Sequence, residues 1–578
     1  MKASKVAIAV VALSAMCVAA SAGLSVVSSR LLVQHLPLPD TKPAISLPYV
    51  LTHATDKRTK QLAALSLLAS FGLPIFLFGG LSSVLLAPKP REQHGSTRLA
   101  SRRELVRSGL MKPDTSDDEF PSVVVGKVDN QLLLFRGPHS ACLAAPVRSG
   151  KGVSLVIPNL LHYRDSVVVL DIHGESFAIT SGFRAQDGQE VHRFAPDNED
   201  SLTACWNPLG YVRDDPRFRI SDLVSITNIL FPPAMETVEV AAVENLFVGL
   251  ALYIMDTPKE HGSFNIAAIN RIATTLPCLK DAETFVAHVN ERQSFEPLSD
   301  ECTGRLRAFV QTTGSMRNHI LDLLHHHLAT FSDATTARAT SRNTFDLRDV
   351  RRKRMSIYVT ISPHSMVRYG LLLRLFFQQL LDLNMHRSPQ DDPTLKYQCL
   401  LLLDEFAAMG QVECIEKTSA HLARYNMRLL LIICSTHEIQ DQRLYGVAGA
   451  QSLMTSAALQ ICFSPRSAVD AQDYSQLIDN ITGKGVPTWQ RSRCNEKQRA
   501  RRRAALLQSL RLLGADSAVI GFEGMRPALV SKICWYQDRV FLMRACLPPP
   551  AVPDQCALGS GLQEGRHFSE PPVLKGDQ

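Results

Sequence analysis

The sequence contains no C-x-x-C pair and no Cys/His spacing suited to caging a metal, although it carries 13 cysteines in 578 residues. An odd, scattered set of thiols argues against a disulfide scaffold and fits a reducing compartment. The run His325, His326, His327 fails as a metal site on geometry, because neighbours on a helix point about 100° apart and cannot face one ion. Strong charge is missing too. A formal net charge of +7 and a pI near 8.7 suit an anionic partner or a membrane face without requiring either. Nor is the chain poor in apolar residues: at 45% it is no disordered protein, and its length allows several domains with cores.

Charge is absent altogether from Val6 to Ser29 and from Gln61 to Ala87. Each run exceeds the roughly 20 residues a helix needs to cross about 30 Å of hydrocarbon, so residues 1–90 are expected to form a two-helix membrane anchor spanning about 6–29 and 61–87. The competing reading of the first run is a cleaved signal peptide, given Lys2, Lys5 and "ASA" at 20–22. Against it, the run is long for a signal core, and a second span follows. Lys2 and Lys5 at one end, and Lys89, Arg91, Arg98, Arg102, Arg103 and Arg107 after the second run, place both termini and the bulk of the chain in the cytoplasm by the positive-inside rule. The Pro-rich stretch between the spans reads as a short irregular periplasmic loop.

The stretch "CLAAPVRSGKGVSLVIPNLL", residues 142–161, looks like a phosphate loop between a strand and a helix. In the pattern G-x-x-x-x-G-K-[ST] the glycines make the turn and let N–H groups reach the phosphates, the Lys reaches the β/γ oxygens, and the hydroxyl ligates Mg²⁺. Two letters differ: Ala145 replaces the first Gly and Gly152 replaces the Ser or Thr. Ala145 is harmless where φ is negative. Gly152 costs the metal its loop hydroxyl, for which Ser149 and Ser154 are the nearby substitutes. The expected cradle is Pro146, Val147, Arg148, Ser149, Gly150, Lys151, Gly152 and Val153, aimed by a helix N-terminus.

Far downstream, "KYQCLLLLDEFAAMG", residues 396–410, is an unbroken apolar run ending in two acids. Such a run reads as a buried parallel strand delivering carboxylates to its C-terminal end, where open α/β sheets bind ligands. Asp404 is expected to hold Mg²⁺ and Glu405 to polarise the attacking water. Acids favoured by a helix dipole would explain the pair alone, but not the pair together with the Lys151 loop.

With these motifs in place, the chain resembles the TraG/TraD-type coupling proteins of type IV secretion, inner-membrane ATPases that feed conjugative DNA or effector proteins to a secretion channel. "HGSTRLASRREL" (94–105), "APVRSGKGVSLVIPNLL" (145–161, with Gly directly after Lys), "TFDLRDVRRKRMSIYVTISP" (344–363), "LLLLDEFAAMG" (400–410) and "GADSAVIGFEGMRPALVSKICWYQD" (514–538) carry the likeness over roughly residues 90–545. Two departures stand out. "DIHGE" (171–175) places His173 where that family usually has Lys, and Cys434, Ser435 or Thr436 fills the position of its γ-phosphate-sensing Gln.

The resemblance implies a RecA-like α/β P-loop domain in two parts, 91–210 and 344–545, around an all-α inserted domain, 211–343. It also implies ATP and Mg²⁺ as cofactors and a multi-pass place in the bacterial inner membrane. The implied partners are secretion-channel components and relaxase-bound single-stranded DNA, effector proteins or both. A homo-hexamer is implied as well, in which a neighbour's Arg completes each site, with Arg424 of "HLARYNMR" the candidate. Independent of the resemblance, "VENLFVGLALYIMD" (243–256) and "MRNHILDLLHHHLATF" (316–331) have helical periodicity. They read as part of a helical insertion that recruits substrate or merely packs.

The segment "GKGVPTWQRSRCNEKQRARRR" (483–503) has eight Lys or Arg against one acid. It reads as a solvated loop or as contacts to phosphates of a passing strand; Trp489 alone is no stacking platform. The Pro/Gly-rich tail, 546–578, is expected to be disordered. Two other readings are a chromosome-segregation or HerA-type DNA pump, and an anchored scaffold whose hydrolysis has decayed.

Overall fold

The apolar runs that read as strands are strands. A computed structural model describes residues 99–553 except 116–117, 232–237 and 483–495, together with scattered residues between 18 and 70. The chain divides into the units Met1–Ser96 and Thr97–Gln578. In the first, the described residues are mostly helical pieces within 18–27 and 56–70. The expected spans 6–29 and 61–87 lie largely outside the described residues, among which no helix is long and apolar enough to cross a membrane.

The second unit is built on a sheet of 11 strands. They are β1 (Val123–Val128), β2 (Gln131–Phe135), β3 (Ala141–Ala144), β4 (Ser166–Asp171), β5 (Glu190–Phe194), β6 (Met355–Thr360), β7 (Cys399–Leu403), β8 (Met427–Ile433), β9 (Leu459–Phe463), β10 (Ser517–Phe522) and β11 (Ala528–Ser531). Their spatial order is β2-β1-β11-β10-β9-β3-β8-β7-β4-β6-β5. From β9 to β5 neighbours run parallel, and from β2 to β9 antiparallel. The wholly buried strands β4, β7 and β8 are continuous in apolar residues because a parallel sheet is covered on both faces.

Strand alternation splits the core. Val168, Leu401 and Leu431 face one cluster, while Val167, Val169, Leu400, Leu402 and Leu430 face another with Leu155, Leu160 and Phe177. Between β5 and β6 the described residues form helices and no strand. The longer helices are Pro216–Leu230, Val238–Asp256, Ile266–Thr275, Ala282–Arg292, Asp300–Val310 and Gly314–Ser332. Their starts are legible as caps: Asp215, Asn265, Asp281, Ser299 and Thr313 each accept an N–H of the first turn. Leu246, Phe247, Leu306 and Leu324 of this segment belong to the same core cluster as the sheet face, so the helices share the sheet's core. Within them, His325 Nδ1 meets Asn270 Oδ1 at 2.6 Å and His327 packs on Phe231, two different directions from one helical turn.

The N-terminal ends of the parallel strands are tied by buried arginines. Arg428 donates to the carbonyls of His139 (2.8 Å), Pro121 (3.1 Å) and Phe135 (2.9 Å). Arg184 donates to the carbonyls of Leu160, Tyr163 and Asp165 and to Ser356 Oγ, all within 2.9 Å. Arg351 does the same for Arg387, Tyr425 and the Asn384 amide oxygen.

Two segments differ from a loop-and-tail expectation. Residues 496–503 of the basic stretch belong to a helix, Glu496–Arg511, packed against helix Ala468–Thr482, and 483–495 lie outside the described residues. Beyond helix Arg539–Ala545 the chain stays in place long enough for the Leu547 carbonyl to seat on Gly182, where an added Cβ would meet it at 2.3 Å. Residues 554–578 lie outside the described residues.

Candidate functional site

The loop at the end of β3 takes its shape from two left-handed residues, Arg148 (φ 59°) and Gly150 (φ 81°). The Gly adopts this freely, whereas for Arg148 it is a strained position. Ala145 is buried, has no left-handed backbone, and donates its N–H to Ile433 O at 2.9 Å, so the missing first Gly imposes no strain. From Gly152 the chain enters a π-helical turn, Gly152–Val156, continuing as α-helix Ile157–Leu160. The helix is shorter than its apolar run implies. Its first turn leaves N–H groups free of intrahelical acceptors and presents them, with the positive dipole end, at the sheet edge.

Lys151 lies at the centre. Its Nζ is 3.0 Å from Glu405 Oε1 and 3.2 Å from Asp404 Oδ1; Glu405 is 254 positions away in sequence, and the parallel pairing of β3, β8 and β7 brings both acids there. Burial works against the ammonium charge, but Asp404, Cys434 and Glu405 outweigh it and hold the Lys151 pKa above its ordinary value. Burial raises the Asp404 pKa against the pull of Lys151. Glu405 sits in a left-handed conformation (φ 51°) at the turn after β7, and its N–H donates to Asp404 Oδ1 at 2.9 Å. That turn, costly for a non-Gly residue, sets both carboxylates toward the loop.

Of Cys434, Ser435 and Thr436 at the end of β8, one side chain faces Lys151. Ser435 Oγ accepts the Glu438 N–H and Thr436 Oγ1 donates to Asp473 at 2.6 Å, so both hydroxyls are engaged elsewhere. Cys434 Sγ is the group that faces Lys151 Nζ, at 3.9 Å, and burial raises its thiol pKa. Asp171, at the end of β4, accepts the N–H groups of Phe177 (2.9 Å) and Ser176 (3.3 Å), and burial lifts its pKa despite them. His173 and Glu175 line the same cleft, of about 320 Å³, with Gly152, Val153, Asp404, Glu405, Trp535 and Tyr536.

Arg424 lies elsewhere. It belongs to the turn Leu422–Tyr425 ahead of β8, beside Asp391, whose carboxylate it helps hold below its ordinary pKa after the bonds from Ser388. The seven residues of β8, about 20 Å of strand, separate it from Lys151 of its own chain.

A metal would find oxygen donors here. Asp404 and Glu405 supply carboxylates, and the Ser149 hydroxyl is buried without a hydrogen-bond partner among the described residues, so the loop retains an uncommitted oxygen although Gly152 brings none. Sequence reasoning passed over Lys532, whose Nζ donates to Ser149 O at 3.0 Å and lies 3.8 Å from the centre of the Phe463 ring. Burial lowers its pKa to about 8, with Asp516 opposing. A lone Lys after an edge-like strand carries no sequence signal of this contact.

The family described as Type IV secretory system Conjugative DNA transfer matches residues 95–559. The chain is 27% identical over 491 residues to Protein VirD4 of Rhizobium rhizogenes, covering 82% of this chain and 70% of that one. It is 24% identical over 539 residues to conjugal transfer protein TraG of Escherichia coli, covering 82% and 81%. In fold it is similar to the plasmid coupling protein TrwB solved with the GTP analogue GDPNP, with TM-score 0.51, 14% identity, and 75% of this chain and 93% of that one covered. The chain therefore belongs to the type IV secretory system conjugative DNA transfer family, and is a coupling protein.

Proposed function

We propose that this coupling protein hydrolyses ATP in the cleft of Lys151, Asp404 and Glu405, and that hydrolysis drives delivery of its substrate to the secretion channel. The observation that carries this is the meeting of Lys151 Nζ with both carboxylates within 3.2 Å at the C-terminal edge of a parallel sheet. Lys151 would exchange its carboxylate partners for β/γ-phosphate oxygens, with the N–H groups of Gly150 to Val153 around them. Asp404 after β7, with Ser149 of the loop after β3, would hold Mg²⁺, which when bound offsets charge on the phosphate oxygens. Glu405, freed of Lys151, orients a water and takes its proton. The related protein TrwB has been solved with ADP and Mg²⁺, which supports this pair of ligands.

The remaining parts of the reading are an inner-membrane anchor within residues 1–90, a bulk that is cytoplasmic, and a homo-hexamer. Arg424 is too far from its own Lys151 to serve it, so in this reading it serves a neighbour's site. Relaxase-bound single-stranded DNA, effector proteins or both are the substrate class, and channel components the partners.

The test is steady-state ATP hydrolysis by the full-length protein, with and without single-stranded DNA at two salt concentrations, beside Lys151→Ala and Glu405→Gln. Turnover lost in both variants, with ATP binding retained by Glu405→Gln, supports the proposal. Cys434 in the sensor place favours one rival, a nucleotide-binding scaffold without hydrolysis. Wild-type protein that binds ATP and turns over no faster than Glu405→Gln would establish that rival instead.

A further inference from the structure

We infer that Trp535 and Tyr536 form the nucleoside wall of the cleft, the surface on which the base of the bound nucleotide stacks; this rests on the nucleotide reading of the Lys151 site. The cleft that contains Asp404 and Glu405 also contains both aromatic residues, together with the apolar side chains Val153, Val156, Ile157 and Ile179. Lys151, paired with both Asp404 and Glu405 of this cleft, and the apolar lining suit the two ends of one ligand. A triphosphate held at Lys151 by the first helical turn must direct its nucleoside past Gly152 and Val153, and an uncharged, flat group then meets the apolar lining.

The two rings are differently held. Trp535 packs partly buried on a cluster containing Ile157 and Ile533, which fixes it to the same helix that carries the loop. Tyr536 meets the Trp535 ring edge-on, with centroids 5.6 Å apart and planes at 83°. It remains 52% exposed, leaving ring surface available. Every base has a π-face, so such a wall accepts a purine without reading its edge.

The segment bearing the rings is tied to the phosphate loop and to the elements around it. Lys532 holds Ser149 O at 3.0 Å. Asp538 caps the helix Arg539–Ala545 and pairs with Lys127 at 2.6 Å. Arg544 donates to Leu161 O at 2.5 Å and lies over the Phe183 ring at 4.8 Å. Loop and aromatic wall therefore form one preorganised surface, as a ligand that spans both requires.

Calorimetric titration of the full-length protein with ATP and, separately, with inorganic tripolyphosphate tests the assignment. Tyr536→Ala is the informative variant, since an exposed ring can be removed without emptying a core; Tyr536→Phe keeps the stacking face. The expected result is about a tenfold loss of ATP affinity in Tyr536→Ala, none in Tyr536→Phe, and tripolyphosphate affinity unchanged in both. Unchanged ATP affinity in Tyr536→Ala, or equal losses for ATP and tripolyphosphate, overturns the assignment while leaving the nucleotide reading intact. Wild-type protein that binds ATP no better than Lys151→Ala overturns both.

Discussion

The two edges of the parallel half-sheet hold their buried cations in opposite ways. At the N-terminal edge, Arg184, Arg351 and Arg428 are surrounded by neutral oxygens: backbone carbonyls, a hydroxyl and an amide. Burial presses the Arg351 and Arg428 pKa values down to about 10, yet both stay charged at neutral pH. The rigid guanidinium fork uses its donors on segments distant in sequence, and nothing in that arrangement invites exchange. At the C-terminal edge, a flexible Lys rests between two carboxylates. An ammonium so placed keeps its charge while its partners remain replaceable by phosphate oxygens. A saturated cation organises a fold, whereas a cation on loan to acids is poised to bind.

This contrast predicts different failures. The largest effect belongs to Lys151→Ala, for which turnover should fall by about 10³-fold with the melting temperature nearly unchanged. A melting temperature that falls as steeply as the rate would make Lys151 a structural residue and erase the contrast. Next is Arg428→Met, which strands three carbonyls and should cost about 3 kcal/mol of stability, read by denaturant unfolding, with ATP affinity of the folded protein retained. Loss of affinity in protein that remains folded would show that the two edges are coupled. Arg428→Lys sharpens the same point. One ammonium cannot span the carbonyls of Pro121, Phe135 and His139, so about half of that loss should persist.

The smallest effect concerns Lys532. Its folded pKa of about 8 lies below the ordinary Lys value near 10.5. Below pH 8 both folded and unfolded chains carry the proton, and the fold bears the full cost of burying the charge. Between about pH 8 and 10.5 the folded chain has released the proton while the unfolded chain retains it, so stability rises with pH in that window. For a half-exposed group the rise is on the order of 1 kcal/mol. Lys532→Met should lack it, as thermal melts at pH 7.5 and 9.5 would reveal. Parallel pH dependence in both proteins would mean that Lys532 is freely solvated.

How much of this was legible beforehand depends on the range of the interaction that fixes each feature. Strands β4, β7 and β8 announce themselves because being buried on both faces requires an unbroken apolar run. The helical segment shows in its periodicity and its Asp, Asn, Ser and Thr caps. The meeting of Lys151 with Asp404 and Glu405 was readable because both motifs follow strands of one parallel sheet and so reach its C-terminal edge. By contrast, Arg428 in "MRLLLII" looks like an ordinary charged strand start. Only the packing of residues 121–139 against that strand reveals three waiting carbonyls. That Cys434 and not Ser435 or Thr436 faces Lys151 depends on the positions of Glu438 and Asp473. Lys532, Trp535 and Tyr536 escaped because strand order, set by the whole chain, brings the end of β11 to the loop after β3.

The bond from Lys532 to Ser149 O closes over 383 residues of sequence, and this has a meaning for biogenesis. At ribosomal rates of about 5–20 residues per second, the phosphate loop leaves the ribosome roughly 20–80 s before the strap that steadies it. Nascent or prematurely terminated chains thus carry the phosphate loop and, once past residue 405, the acid pair, but not the tie from Lys532. The molecule's order of synthesis keeps the Lys151 cleft unfinished until nearly the entire described chain has emerged.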